Sequence, residues 1–348
     1  MKVTIAIDSW KGCLSSSEAN EAARRGLLSR WPNAEVRCVP VSDGGEGFLD
    51  AMMLLSPPNG GGSWQRVTTD AFDPLMRPIK ADYLICGTYA VIEMAQASGL
   101  TLLKQDELDP MRTTTYGTGQ LIADVVRRGA KRLLIGLGGS ATSDCGMGML
   151  DAMRENTVNG KSLNFTIVTD VTNPLLGQNG AAYVFARQKG ATDEMLIELE
   201  TRARMFAEES ARLLRHDCSN EPGAGAAGGV GYALMQYFGA NRVDVGEFLV
   251  HSLCEGKESL IITGEGRADR QTLMGKLPFA ILQKAKPLDI PVVLLAGQVC
   301  DREALLEAGF SQVLCVNPEG SPLEECLRPD VAYARITETV KHIIVNSE

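Results

Sequence analysis

Two glycine-rich runs, with aspartates and lysines spaced beside them, are the parts of this 348-residue sequence that could do chemistry. The first is Ile135-Gly136-Leu137-Gly138-Gly139-Ser140-Ala141-Thr142-Ser143-Asp144. It leads from an apolar stretch into a helical one. The amides of such a turn, with the helix N-terminus behind them, favour a phosphate or a carboxylate, and Ser140 and Thr142 add hydroxyl donors. The second run, Gly223-Ala224-Gly225-Ala226-Ala227-Gly228, has the G-x-G-x-x-G spacing. That fingerprint requires a strand just before it, and Asp217 to Pro222 is turn-forming, so a dinucleotide site is excluded. A weaker reading is left, a loop into a helix N-terminus that lies against phosphates. Gly160-Lys161-Ser162 has Glu155 where a Walker A loop needs its leading glycine, which excludes that loop too. Phosphoryl transfer needs a phosphate cradle, cationic charge, a carboxylate for metal and a base near the acceptor. Lys11, Lys189, Arg267 and Lys276 could supply charge, and Asp43, Asp144, Asp170, Glu265 and Asp269 the metal ligand or base. The plainer reading of any one of them is a turn, a helix cap or a solvated group.

These residues need elements to position them. Val3 to Ile7 is an apolar, β-branched run of the kind buried in parallel sheets. Ser15 with Glu18 has capping-box spacing, so a helix starts near Ser16. Val36 to Val41 reads as a second strand, followed by Asp43-Gly44-Gly45-Glu46 and a helix over 46–55. Residues 56–63, SPPNGGGS, read as a linker. Mixed segments follow, with strands expected at 89–94, 132–137 and 165–169 and helices near 117–129, 192–215 and 229–238. Apolar strands return at Leu260–Ile262, Val292–Ala296 and Val313–Val316, and a last helix fits 331–344. The pattern predicts an α/β protein. An open parallel sheet domain of the Rossmann or flavodoxin type spans 1–65 and 256–348, with a second, mixed α/β domain inserted as 66–255. Ligands of open parallel sheets bind beyond the carboxyl ends of the strands. Those ends carry Asp8-Ser9, Asp43 to Glu46, Gly264-Glu265-Gly266, Gly297 and Asn317.

Composition narrows the classes. Hydrophobic residues are 45% and charged residues 22%, ordinary for a globular chain, and the net charge is −9. A binder of nucleic-acid backbone normally shows a basic face, so nucleic acid is not an expected partner. Nine scattered cysteines without a Cys-x-x-Cys predict a reduced, cytoplasmic setting. Three well-separated histidines give no zinc spacing. No run of 18 apolar residues exists, so no membrane span is expected.

The motifs together resemble the bacterial glycerate kinase family, whose members phosphorylate D-glycerate on the 2-hydroxyl. The matching residues run in order along nearly the whole chain. They are Ile7-Asp8-Ser9-Trp10-Lys11, Asp43-Gly44-Gly45-Glu46-Gly47, Arg112-Thr113-Thr114 with Gly117-Thr118-Gly119, and Gly138 to Asp144. Asp170 to Leu175, Gln188-Lys189-Gly190-Ala191, Pro222 to Gly229, Thr263 to Asp269, Gln271-Thr272 and Gly275-Lys276 complete them. The resemblance implies ATP, a divalent metal such as magnesium, glycerate as the small-molecule partner, and a site in a cleft between two α/β domains; a homodimer is left open. Under it, Lys11 is catalytic, the carboxylate meets Lys11 or Arg267 with Ser9, and Asp8 and Asp269 are also on substrate. Asp170 is the base near the 2-hydroxyl. Asp43 or Asp144 holds metal. Gly138, Gly139, Ser140, Thr142, Gly223, Gly225, Gly228 and Lys189 meet the nucleotide's phosphates. The chain departs from the family pattern at Ile7, Trp10, Gly12, Cys13, Ser143, Cys145 and Met274, and its segment between Leu150 and Thr166 is shorter. Two alternatives stay open: a kinase for another small hydroxy acid, and a ligand-binding relative that has lost catalysis.

Overall fold

The computed structural model describes residues 1–10, 12–42, 44–58, 62–244, 258–274 and 276–344. Lys11 and Asp43 lie outside the described residues. Along the chain the main elements are β1 Lys2–Ile7, α1 Ser16–Arg30, β2 Glu35–Cys38, α2 Phe48–Met53, β3 Gln65–Phe72, β4 Pro78–Cys86, β5 Tyr89–Glu93 and α3 Tyr116–Arg127. β6 Arg132–Gly136, α4 Met147–Glu155, β7 Asn164–Val168, α5 Asp193–Leu214, α6 Val230–Phe238 and β8 Asn241–Val243 follow. The last are β9 Leu260–Ala268, α7 Leu277–Ala285, β10 Val292–Val299, α8 Arg302–Ala308, β11 Gln312–Cys315 and α9 Pro329–Val340.

The chain divides into two compact units. One is made of 1–42 and 245–348, the other of 43–244. The first holds a wholly parallel sheet in the order β11-β10-β9-β1-β2. The five apolar runs read from sequence are its strands. β2 stops at Cys38, short of the expected Val41, and Pro40 there has no N–H to give a ladder. The core is built from Val3, Ile5, Ile7, Leu260, Ile262, Val293 and Leu295, packed on Ala19, Ala22, Ala23 and Leu27 of α1 and Ile336 and Val340 of α9. α1 starts where Ser15 predicts: the Ser15 hydroxyl accepts from Glu18 N, and the Ser15 N–H donates to Glu18 Oε2 at 2.8 Å. Ser16 ties the end of β1 to the segment after β2, donating to the Ile7 carbonyl at 2.5 Å and accepting from Val41 N at 2.8 Å.

The second unit holds a mixed sheet in the order β3-β4-β5-β6-β7-β8. β3, β4 and β5 pair antiparallel, and β5 to β8 pair parallel. Its core includes Tyr83, Ile92, Leu121, Ile135, Met149, Phe165, Ile167 and Leu234. The segment 150–166 contains the end of α4 and a single turn, Gly160–Ser162, before β7. Short as it is, it completes a parallel crossover from β6 to β7.

The domain boundary differs from the expected residue 65. Residues after Ser42 belong to the second unit because the glycine turn seats on that unit's strands. A Cβ on Gly136 would meet the Gly44 carbonyl oxygen at 2.3 Å, and one on Gly44 would meet the Val168 oxygen at 2.6 Å. Gly44 also has φ +87°, a value that costs a side chain about 1–2 kcal/mol. α2 then docks beside β5, with the Leu49 N–H donating to Glu93 Oε2 at 3.1 Å.

Candidate active site

In the second unit β5 ends in Glu93, and the carboxyl ends of β6 and β7 are followed by the 138–144 loop and Asp170. The loop is held from outside by backbone bonds: Ala141 N donates to the Ser98 oxygen at 2.8 Å, and Leu100 N to the Gly139 oxygen at 2.9 Å. Among the described residues, the amides of Gly138, Gly139 and Thr142 have no acceptor. The Thr142 and Ser143 hydroxyls are buried without a partner as well. Each unpaired buried hydroxyl costs about 1–3 kcal/mol, and an anion accepting from them would remove that cost. The 44–46 turn lies next to this loop, since a Cβ on Gly139 would sit 3.8 Å from Gly45 Cα.

Lys189 lies under the loop and is 1% exposed. Its Nζ donates to Ser140 Oγ at 2.9 Å and to the Thr142 carbonyl at 2.6 Å. Burial pushes this ammonium down to about 7, and Asp144 pulls the other way. The lysine therefore fixes the shape of the 140–142 backbone while bringing positive charge, when protonated, close to the open amides.

Asp144 is placed for a different task from the one expected. Its Oδ2 accepts from Thr115 N (2.8 Å), Thr115 Oγ1 (2.8 Å), Gly148 N (3.1 Å) and Thr114 Oγ1 (3.4 Å), and its Oδ1 from Gly146 N (3.0 Å). A carboxylate so fully engaged joins the start of α3 to the start of α4, and a metal would have to displace those donors. Asp144 does not fit a metal ion in this arrangement. Among the described residues no group of three or more His, Cys, Asp or Glu is placed to hold one.

The second glycine run also serves another purpose. Gly223, Gly225 and Gly228 are buried. A Cβ on Gly228 would meet the Thr142 oxygen at 2.1 Å, one on Gly225 the Pro174 oxygen at 2.3 Å, and one on Gly223 Arg242 Cδ at 2.8 Å. Cys145 N donates to the Gly228 oxygen at 3.0 Å. These glycines let one loop wedge against 142–145 and 171–174. The close packing supports the first loop from behind, and Gly225 N is engaged by the Asn173 oxygen at 2.9 Å.

Asp170 is exposed just past β7. Glu93 was not among the residues expected to matter. It is 2% exposed and accepts from Leu49 N and Gln96 Nε2, both at 3.1 Å. Burial raises it to about 7, against the pull of those two bonds. The available signal was a carboxylate closing the apolar run Val91-Ile92-Glu93.

The first unit gathers its own set past the ends of β1 and β9. Asp8 N donates to the Gly264 oxygen at 2.9 Å, and Ser9 N to Asp8 Oδ1 at 2.7 Å. Arg267 Nε pairs with Asp269 Oδ2 at 3.2 Å. Glu265 accepts from Thr272 Oγ1 at 2.6 Å and Lys276 Nζ at 2.8 Å. So Asp8, Ser9, Arg267 and Asp269 all stand at the carboxyl edge of one parallel sheet.

An open-amide loop over a buried lysine at one parallel edge, with acids and a guanidinium at another, is the equipment of an α/β enzyme that handles small anions. The model of the glycerate kinase family matches residues 3–163 and 154–346, and the chain belongs to that family. The two matched stretches meet at 154–163, within the segment expected to be short. The chain is 37% identical to glycerate kinase of Bacillus subtilis over 372 aligned positions, covering 97% of this chain and 96% of that one. It is equally 37% identical to glycerate 2-kinase of Escherichia coli, over 99% and 97% of the two chains. A crystal structure assigned to glycerate kinase 2 of Salmonella typhimurium superposes with a TM-score of 0.75 at 33% identity, covering 98% of this chain and 96% of that one. Among the described residues, no helix is long and apolar enough to cross a membrane.

Proposed function

We propose that this glycerate kinase transfers the terminal phosphoryl group of ATP to the 2-hydroxyl of D-glycerate, giving 2-phosphoglycerate and ADP. The observation that carries the reading is the 138–142 loop: amides without acceptors, the buried unpaired Thr142 hydroxyl and a lysine beneath. Phosphate oxygens are the acceptors such a loop wants, and positioning with charge stabilisation is most of what a phosphoryl-transfer site does. Lys189 acts through the backbone it holds. Asp170, exposed beyond β7, takes the hydroxyl proton. In the first unit Arg267, steadied by Asp269, meets the carboxylate of glycerate together with Lys11. Asp8 suits a hydroxyl group of glycerate, because an ionised carboxylate only accepts, while the Ser9 hydroxyl can donate to the carboxylate. Magnesium remains an expectation of the family; its ligands would come largely from the phosphates and water, and no step is routed through it. The printed name of the E. coli relative favours the 2-hydroxyl over the 3-hydroxyl.

The test is an ADP-coupled assay with ATP, magnesium and D-glycerate, run beside L-glycerate, tartronate and no acceptor, with the product identified by NMR. ADP release only with D-glycerate, and a 2-phosphate product, is expected. A 3-phosphate product, or turnover with a different hydroxy acid alone, contradicts the proposal at the named point.

A further inference from the structure

Cys13 and Cys326 are 313 residues apart in the sequence and meet in the first unit. The Cys13 thiol donates to the carbonyl oxygen of Cys326 at 3.7 Å. Both cysteines are free and partly exposed. Cys13 sits in the tight turn Trp10–Leu14, where Cys13 N donates to the Trp10 oxygen at 2.8 Å and Trp10 N to the Leu14 oxygen at 2.8 Å. Cys326 ends the short helical turn Leu323–Cys326 that precedes α9. Its sulfur lies 3.9 Å from the Ser321 oxygen and receives a bond from Arg335 Nη1 at 3.6 Å. The same guanidinium is anchored by Asn317 and Glu325. Burial raises the Cys13 thiol above its ordinary value, and Glu18 and then Cys326 add to the rise.

We propose that Cys13 and Cys326 form a peroxide-sensitive dithiol that closes to a reversible disulfide. The two thiols differ in surroundings: one is partly desolvated beside an acid, while the other faces a fixed guanidinium donor. The Arg335 guanidinium fixes the position of the Cys326 sulfur, and in the proposed order Cys326 reacts first. Its thiolate attacks one oxygen of hydrogen peroxide; an S–O bond forms, the O–O bond breaks, and the departing hydroxide leaves as water after taking a proton. The resulting sulfenic acid is attacked by Cys13 as thiolate. The S–S bond forms, the S–O bond breaks and a second water leaves. Two thiols are oxidised to one disulfide, and one peroxide is reduced to two waters. The Cys13 sulfur already touches the Cys326 backbone, and closing the bond needs the two side chains to rotate toward each other. The closed bond would tie the Trp10–Leu14 turn to the 323–326 turn. The chemistry does not depend on which acceptor the enzyme uses.

The experiment treats the whole protein with hydrogen peroxide, blocks residual thiols with iodoacetamide and maps peptides by mass spectrometry without reduction. The expected result is a linked pair of peptides carrying Cys13 and Cys326, lighter than the two free peptides by about 2 Da, the two hydrogens lost. Dithiothreitol should release it, and Cys326→Ser should abolish the link while leaving basal activity unchanged. Peroxide treatment that yields sulfinic acids or disulfides at other cysteines, with no 13–326 link, overturns the proposal.

Discussion

In the first unit the cations beyond the strand ends stand in solvent while the acids they pair with, Asp269 at 16% and Glu265 at 9%, are largely covered. Arg267 is 62% exposed opposite Asp269, and Lys276 is 43% exposed opposite Glu265. In the second unit the corresponding charges are enclosed: Lys189 is 1% exposed, Glu93 2%, and Asp144 is ringed by N–H and O–H donors. Pairs with one exposed partner contribute little to stability and can exchange partners. Enclosed charges are costly and cannot move far, which suits a loop held in one shape. The difference separates a unit whose cations are free to change partners from one whose charges are locked into its loops.

The largest effect that would sharpen this contrast is catalytic. Asp170→Asn should lower kcat by about 10²–10⁴-fold with the thermal unfolding midpoint unchanged, as loss of a base does. A variant turning over at the wild-type rate removes Asp170 from that role. Next is the wedge that backs the cradle. Gly228 has φ +64° with the Thr142 oxygen 2.1 Å from a built Cβ, so Gly228→Ala should cost about 2–4 kcal/mol in denaturant unfolding. A neutral substitution would show that the 223–229 loop does not press on 142–143.

The two enclosed titrating groups predict opposite pH slopes. Lys189 has its folded pKa lowered to about 7 from 10.5. Between those values the unfolded chain binds more protons, so this lysine makes stability rise with pH from about 7 to 10.5. Lys189→Met should flatten that rise. Glu93 has its folded pKa raised from 4.5 to about 7. There the folded chain binds more protons, so its contribution makes stability fall as pH rises from 4.5 to about 7. Glu93→Gln should remove that fall. Parallel unfolding curves for variant and wild type across either window would show that the group is not enclosed as described. The smallest effect belongs to the exposed pair. Asp269→Asn should change stability by less than about 1 kcal/mol, while raising KM for glycerate by freeing Arg267 from its partner. A large loss of stability instead would mean that the first unit also relies on that charge for folding.

Much of the fold was legible because buried parallel strands read as β-branched runs, as at Val3–Ile7 and Leu260–Ile262. The antiparallel β3 and β4 were not resolved as strands in the sequence. β3 is mostly exposed, Gln65 to Phe72 carrying Arg66, Thr68 and Asp70, and a strand wet on one face offers little apolar run to find. The helix at 46–55 was legible as a helix but not as part of the second unit, because that choice is made by the Gly44–Gly136 contact, which is invisible in local pattern. The Gly-Gly-Ser-Ala-Thr loop was found by its composition. That Lys189 lies beneath it, that Asp144 is consumed by helix starts and that the 223–228 glycines pack on other backbone are facts of long-range contact. Residue type and spacing do not carry them.

The most direct measurement of the central claim is a crystal structure with a non-hydrolysable ATP analogue. The account predicts phosphate oxygens within hydrogen-bond distance of the Gly138, Gly139 and Thr142 amides and the Thr142 hydroxyl, with Lys189 still bonded to the Thr142 carbonyl. Phosphates bound elsewhere, with that loop empty and its amides still open, would contradict it.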